Sequence, residues 1–221
     1  MSLDDYYLTG AEQEILAKQY SHNPLLQYRG NAGTHDVNLI MNTLEKLSMK
    51  DQKVLIPRYD KSLRNGRGDR APMDKWEIVN SSNDVDIVLF EGWMLGFQAI
   101  ESKIIDANMR EINDLLKQYQ PLHFLFDSWI VLALDDINTV YKWRLQAEIM
   151  MRNAGKPGLS DNEVKDFVDR FMPAYKQYLP TLYVTGPECE STKQIDVLKL
   201  IIDSNRTAKS MEIMKKRHSK L

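Results

Sequence analysis

The chain reads as an α/β protein built on a parallel sheet with helices on both faces. Three observations predict this. Two short runs, Ile87–Phe90 and Trp129–Leu134, are almost wholly apolar, as strands covered on both sides are. Stretches with apolar residues at helical spacing lie around them. Both runs stop at acids, Glu91 and Asp135-Asp136, and open α/β sheets bind ligands beyond the carboxyl ends of their strands. Gly92 follows Glu91 at once and permits close backbone approach there.

The elements follow in order. Thr9 and Glu12 form a T-x-x-E capping box, which predicts a helix through Gln13–Tyr20, ended by Asn23-Pro24. Leu25–Gly33 reads as a loop. Val37, Ile40, Met41, Leu44 and Leu47 share one face of a second helix. Val54–Ile56 is a short strand closed by Pro57. Arg58–Pro72 is a long, basic, glycine-bearing loop. The Glu91 strand comes next, then an amphipathic helix over Glu101–Tyr119, the strand Trp129–Leu134, and a helix carrying Val140–Met151. Asn153–Gly158 breaks that helix. Ser160 and Glu163 form a second capping box and start a helix to Tyr178. Val197–Ile202 is the last predicted strand.

With 221 residues, 43% hydrophobic and 27% charged, and a formal net charge of −2, the chain is an ordinary globular sequence. It carries no overall field to attract nucleic acid or anionic lipid. No apolar stretch approaches the roughly 20 residues that cross a bilayer. Residues 1–20 contain Asp4, Asp5, Glu12 and Glu14 and do not read as a targeting peptide. The single cysteine, Cys189, excludes an intramolecular disulfide, and the four histidines show no zinc spacing.

Four segments carry chemistry. Ser2–Tyr7, SLDDYY, sets two carboxylates before aromatics; by itself this reads first as an acidic cluster capping a helix and second as a catalytic base. Arg29–Asp36, RGNAGTHD, places Arg29 and His35 around glycines that allow a tight backbone. The loop from Arg58 holds Lys61, Arg64, Arg67 and Arg70, with Tyr59, Gly66 and Gly68 interleaved. Arginine forks match carboxylate and phosphate, although charge runs are commonly solvated. Arg67-Gly68-Asp69 also spells a cell-adhesion tripeptide, but nothing else in the sequence points to secretion. Arg144 and Arg152 lie two helical turns apart, as phosphate-closing lid residues or as ordinary i,i+4 partners such as Arg144 with Glu148. The phosphate-cradling motif G-x-x-x-x-G-K-[ST] does not occur; Gly155-Lys156 is followed by Pro157.

Taken together, SLDDYYLT (2–9), LLQYRGNAGTHD (25–36), PRYDKS and GRGDRA (57–62 and 66–71), LFEGWMLGF (89–97), VYKWRLQAE (140–148) and FVDRFMPAYKQYLPTLY (167–183) resemble the D-glycerate 3-kinase family, in its plant and fungal branch. The resemblance implies a P-loop-kinase-type fold related to uridine kinase and phosphoribulokinase. It implies transfer of phosphate from ATP, with Mg²⁺, to the 3-hydroxyl of D-glycerate, a photorespiratory step in plants. Asp4 would accept the hydroxyl proton, and Glu91 would stand at the end of the Walker-B-like strand. These two carboxylates are the implied Mg²⁺ contacts. Arg29, His35, Lys61, Arg67 and Arg70 would face the substrate, and Arg144 and Arg152 would lie in a lid around 144–158. Family members carry a strand, P-loop and helix before the S-x-D-D segment. The expectation is therefore a single kinase-like domain over 1–221, N-terminally truncated, with the strand–P-loop–helix absent. It would be a monomer with D-glycerate and ATP as partners and neither nucleic acid nor membrane. Its place would be the chloroplast for a plant member and otherwise the cytoplasm. The alternative is a non-catalytic paralogue that keeps a small-acid pocket without a nucleotide site.

Overall fold

The computed structural model describes residues 1–81, 85–101, 106–155, 158–187 and 195–215. They group into two compact units. One runs from Met1 to Leu95 and takes in Ala107–Leu122; the other is built from His123 onward and includes Gly96–Gln98.

In the first unit, residues 1–3 run parallel to 89–91. The Met1 amino group donates to the Leu89 carbonyl (2.7 Å), the Glu91 amide to that of Met1 (3.0 Å) and the Leu3 amide to that of Glu91 (2.8 Å). A 3₁₀ turn, Leu3–Tyr6, follows, with the Ser2 side chain capping it at the Asp4 amide. Helix α1 (Gly10–Gln19) starts at the expected capping box, with both reciprocal bonds made. Helix α2 (Val37–Ser48) is capped by Asp36 and buries Ile40, Thr43 and Leu47. Strand β1 (Lys53–Ile56) ends at Pro57. The basic loop contains a small hairpin, β2 (Tyr59–Asp60) with β3 (Asp69–Arg70). Strand β4 (Glu77–Asn80), unmarked by any strong pattern, pairs antiparallel with β1. Val79 and Val85 pack on a cluster of Leu47, Val54 and Ile56. Helix α3 (Met109–Leu116) buries Met109, Ile112 and Leu116 and leads through a 3₁₀ turn into α4 (Gln120–Leu125). The helix expected over Glu101–Tyr119 is thus shorter; residues 102–105 of it lie outside the described ones.

The run Ile87–Phe90 is not the covered strand its composition predicts. Ile87 is 80% and Leu89 73% exposed. Among the described residues, its ladder partners are residues 1–3 alone. An unbroken apolar run announces hydrophobicity, but a strand also needs neighbours that offer backbone partners.

In the second unit, β5 (Ser128–Leu134) pairs parallel with β6 (Asp196–Ile202), and β7 (Ala208–Lys215) pairs antiparallel with β6. The α/β class therefore holds, but the sheet is mixed rather than all parallel. The short turn after β6 allows only an antiparallel return. Nor is β5 covered on both faces. Trp129, Val131 and Ala133 are buried, whereas Ile130 and Leu132 are 59% and 58% exposed. The register puts Ile130, Leu198 and Ile213 in one row and Leu132, Leu200 and Met211 in the next, all on the open face. On the other face, Lys199 donates to the Tyr183 carbonyl (3.0 Å), and the Tyr183 hydroxyl accepts from the Leu134 amide (3.1 Å). Helix α5 (Thr139–Asn153) precedes α6 (Asp161–Asp169), which starts at the Ser160–Glu163 capping box. The helix expected to continue to Tyr178 breaks at Arg170-Phe171 and restarts as α7 (Met172–Thr185), with Pro173 in its first turn. Gly186, at φ 72°, ends it. Lys156, Pro157 and Cys189 lie outside the described residues. Among the described residues no helix is long and apolar enough to cross a membrane.

Candidate active site

The candidate centre lies in the first unit, on the 3₁₀ turn that begins where residues 1–3 meet 89–91. The turn aims Asp4 and Asp5 in different directions. Asp5 Oδ2 pairs with Arg58 Nη1 (3.1 Å), and its Oδ1 accepts from the Tyr59 amide (3.2 Å). Asp5 therefore pins the start of the basic hairpin. Asp4 Oδ1 accepts from the Tyr7 hydroxyl (2.8 Å), and its Oδ2 from Lys61 Nζ (2.6 Å). Burial pushes the Asp4 carboxyl up. The Lys61 hydrogen bond and charge, with the Tyr7 hydroxyl, more than offset this and hold it below the usual carboxylate range.

Behind Asp4 stands a buried polar column. The Tyr7 ring stacks on His35 (centroids 4.5 Å, 23°), and the two residues form an antiparallel bridge. His35 Nδ1 lies 2.7 Å from the Tyr119 hydroxyl, and that oxygen accepts from the Gly33 amide (3.1 Å). Burial holds the His35 ring neutral, with its pKa pushed down to about 3. Gly33 sits at φ 94°, where an added Cβ would lie 2.5 Å from Leu115; only glycine lets this loop press onto α3.

The remaining expected residues sort by position. Arg70 is largely buried and donates to the Tyr7 carbonyl and to Asp36, both at 3.1 Å, so it ties the hairpin to the RGNAGTHD loop. Glu91 meets Ser2 through the backbone, which sets it at the same end of the ladder as Asp4, with its own side chain exposed. Arg29 donates to the carbonyls of Gly66 and Arg67 and lies 5.6 Å over the Tyr59 ring. Arg29 and Arg67 line a cavity of about 370 Å³ against α1, and neither Asp4, His35 nor Lys61 lines it. Arg144 and Arg152 belong to the second unit. Arg144 pairs with the buried Glu148 and lies 4.7 Å over Phe167; Arg152 pairs with Asp161 at 2.8 Å. Among the described residues no three His, Cys, Asp or Glu side chains group to hold a metal ion.

Sequence reasoning missed Tyr7, Tyr59 and Tyr119 as partners of these groups. Tyr7 lay inside a segment already singled out, three residues beyond Asp4. Tyr119 stands 84 residues from His35 and no local pattern connects them.

No family model matches the chain. It is 45% identical over 213 residues to the chloroplastic D-glycerate 3-kinase of Arabidopsis thaliana, covering 93% of this chain and 46% of that protein. The chain thus spans about half the length of that relative. It is 40% identical over 221 residues to an uncharacterized kinase of Schizosaccharomyces pombe, covering 93% of this chain and 76% of that one. Among solved structures, a D-glycerate 3-kinase from Cryptococcus neoformans matches with a TM-score of 0.83 at 32% identity, over 97% of this chain and 79% of that one. Sequence and fold agree along nearly the whole of this chain and most of the two fungal ones, and on that agreement the chain belongs to the D-glycerate 3-kinase family.

Proposed function

We propose that this chain carries the acceptor side of a D-glycerate 3-kinase, with Asp4 as the group that takes the proton of the 3-hydroxyl. The observation that carries this reading is the Asp4 carboxylate itself. One oxygen is fixed from the interior by Tyr7; the other faces an exposed, flexible lysine. Its lowered pKa keeps it ionised at neutral pH, which is the form that accepts a proton. Removal of the hydroxyl proton leaves the oxygen ready to form its bond to phosphorus. ATP with Mg²⁺, when bound, supplies the phosphoryl group.

The residues present fit the acceptor rather than the nucleotide. G-x-x-x-x-G-K-[ST] is not in the 221 residues. Of the metal contacts implied by family resemblance, Asp4 and Glu91 stand at one end of a short ladder without a third carboxylate or histidine among the described residues. No step is assigned through the nucleotide or the metal.

Lys61 is the basic candidate in hydrogen-bond contact with Asp4. A carboxylate on the substrate competes for its ammonium, and a Lys61 that turns to the substrate frees Asp4 Oδ2 to act. Lys61 thus couples recognition of the acid to release of the base. Arg70 and the His35 column hold this geometry.

Two measurements test the reading. Isothermal titration should show D-glycerate binding that Lys61→Met weakens by about tenfold or more, as losing a charge-assisted partner does. In an ATP/D-glycerate assay of the chain joined to a strand–P-loop–helix segment, Asp4→Asn should lower kcat by about 10²–10⁴-fold with little change in KM for ATP. Turnover insensitive to Asp4→Asn would overturn the base assignment. Glycerate binding without turnover would leave an acid pocket and remove the kinase activity from this chain.

A further inference from the structure

The hairpin that supplies Lys61 also walls the cavity of about 370 Å³ on its far side, and the reaction proposed above makes no use of it. Its floor is α1, through Gly10, Gln13, Glu14, Ala17 and Lys18; its rim is Tyr28, Arg29, Tyr59, Arg64, Arg67 and Gly68. Four cations, Lys18, Arg29, Arg64 and Arg67, line it against one carboxylate, Glu14. Arg64 pairs with Glu14 and, at 3.5 Å, with Asp69 beside the lining. Four lining cations against one lining carboxylate leave an excess of three positive charges, of which Asp69 offsets one. A concave wall of one sign concentrates counter-ions far more than a flat surface does.

The cavity is built, not a gap between solvated chains. Gly68, at φ 81°, lies so close to Tyr59 and Arg29 that a Cβ there would sit 2.5 Å from the Tyr59 ring. Gly10 is equally close to Arg64. Arg64 and Asn65 both hold positive φ, 53° and 56°, at the hairpin tip. Such backbone costs of order 1 kcal/mol or more per residue and persists where surrounding contacts enforce it. Arg29 is tethered by two carbonyls and the Tyr59 ring, so its guanidinium is ordered before any ligand arrives. Lys18 and Arg67 form no ion pair among the described residues. Tyr28, Tyr59 and Ala17 give the wall an apolar side.

We propose that this cavity is a second ligand site, separate from the Asp4 centre, for a small phosphorylated carboxylic acid. A phosphate ester carries about −1.5 to −2 at neutral pH. A carboxylate on the same molecule adds one more charge, and the two together cover the excess on the wall. D-glycerate, with a single charge, leaves part of the wall unneutralised. Arg29 and Arg67 offer forks that pair with two oxygens at once, and Lys18 adds a point charge from the helix. The product of the reaction proposed above belongs to this ligand class. That identification rests on the proposed reaction; the site does not. Tyr59 is the shared wall: its amide donates to Asp5, and its ring centroid lies 5.2 Å, edge-on, from that of Tyr7, which holds Asp4. An occupant of the cavity is therefore one ring away from the base, placed to report product back to it.

The test titrates the chain with 3-phosphoglycerate, glycerol 3-phosphate, inorganic phosphate and D-glycerate, following the amide NMR signals of Tyr28 and Gly68. The expected result is saturable movement of these signals by 3-phosphoglycerate, with each of the other three weaker. Arg67→Ala and Lys18→Ala, both at exposed positions, should each weaken 3-phosphoglycerate by about tenfold or more, while Lys61→Met leaves it unchanged. Unchanged affinity in both cavity variants would overturn the site. D-glycerate moving the same signals as strongly would overturn the separation of the two sites. Inorganic phosphate or glycerol phosphate binding as tightly would overturn the carboxylate part of the ligand class. Glycerate binding lost with Lys61→Met but absent from the cavity signals sustains the proposed reaction whatever the cavity does, so the two ideas fail separately.

Discussion

The two polar regions around Tyr59 are held in opposite ways. On one side, Asp4 rests on Tyr7, His35 and Tyr119, with the imidazole and both phenol rings almost fully buried. On the other, the hairpin tip rests on surface pairs, Arg64 with Glu14 and Arg29 with carbonyls. Buried hydrogen bonds cost a full desolvation penalty when broken, whereas exposed ion pairs contribute little. The comparison teaches that Asp4, the proposed base, is held from the interior, whereas the hairpin tip is held by contacts at the surface. That division suits the proposed reaction, in which the accepting oxygen has to be placed closely.

The comparison can be broken at either side. Gly33→Ala should cost the most. It forces an L side chain into the left-handed region and drives its Cβ into Leu115, for about 2–4 kcal/mol read from urea unfolding. Tyr119→Phe should come next, at about 1–3 kcal/mol, because it strips the Gly33 amide and His35 Nδ1 of their shared partner. A third test uses pH. His35 in the folded chain has its pKa lowered to about 3 from the usual 6.5. The unfolded chain therefore binds the extra proton between those values. The stability that neutral His35 contributes is fully present above pH 6.5 and is lost as pH falls toward 3, at up to about 1.4 kcal/mol per pH unit. His123 in the second unit, lowered to about 4 by burial, follows the same sign. His35→Gln should lose one proton of slope from the stability–pH curve and keep the part due to His123. Arg64→Ala should cost least, below about 1 kcal/mol. If it costs as much as Tyr119→Phe, the hairpin tip is as rigid as the column and the contrast fails.

Local chemistry was legible wherever it was self-contained. Thr9 with Glu12 and Ser160 with Glu163 each make both bonds of a capping box, because every partner lies within one turn. The strand at Trp129–Leu134 was legible as a strand, but not its exposed face, since a run of apolar letters does not say which neighbours come to cover it. Strand β7, with Lys209, Ser210 and Glu212 among its residues, carried too little hydrophobic signal to be read, and its pairing with β6 made it a strand. In the site, Asp4, Lys61 and His35 were visible as residue types. The link through Tyr119 was not, because a contact spanning 84 residues is a property of the fold. Arg70 was read as a substrate contact; its bonds to Asp36 and the Tyr7 carbonyl were not legible, because charge alone does not say which loops an arginine ties together.

The open face of the second unit's sheet has a thermodynamic consequence. Its six apolar side chains, in the rows Ile130–Leu198–Ile213 and Leu132–Leu200–Met211, are half-buried or exposed before unfolding begins. The heat-capacity increment of unfolding comes from apolar surface newly hydrated, at about 0.45 cal/mol/K per Å². Surface already wet adds nothing to it. The second unit should therefore unfold with a smaller increment per residue than a sheet covered on both sides, and its stability should vary less with temperature on either side of its maximum.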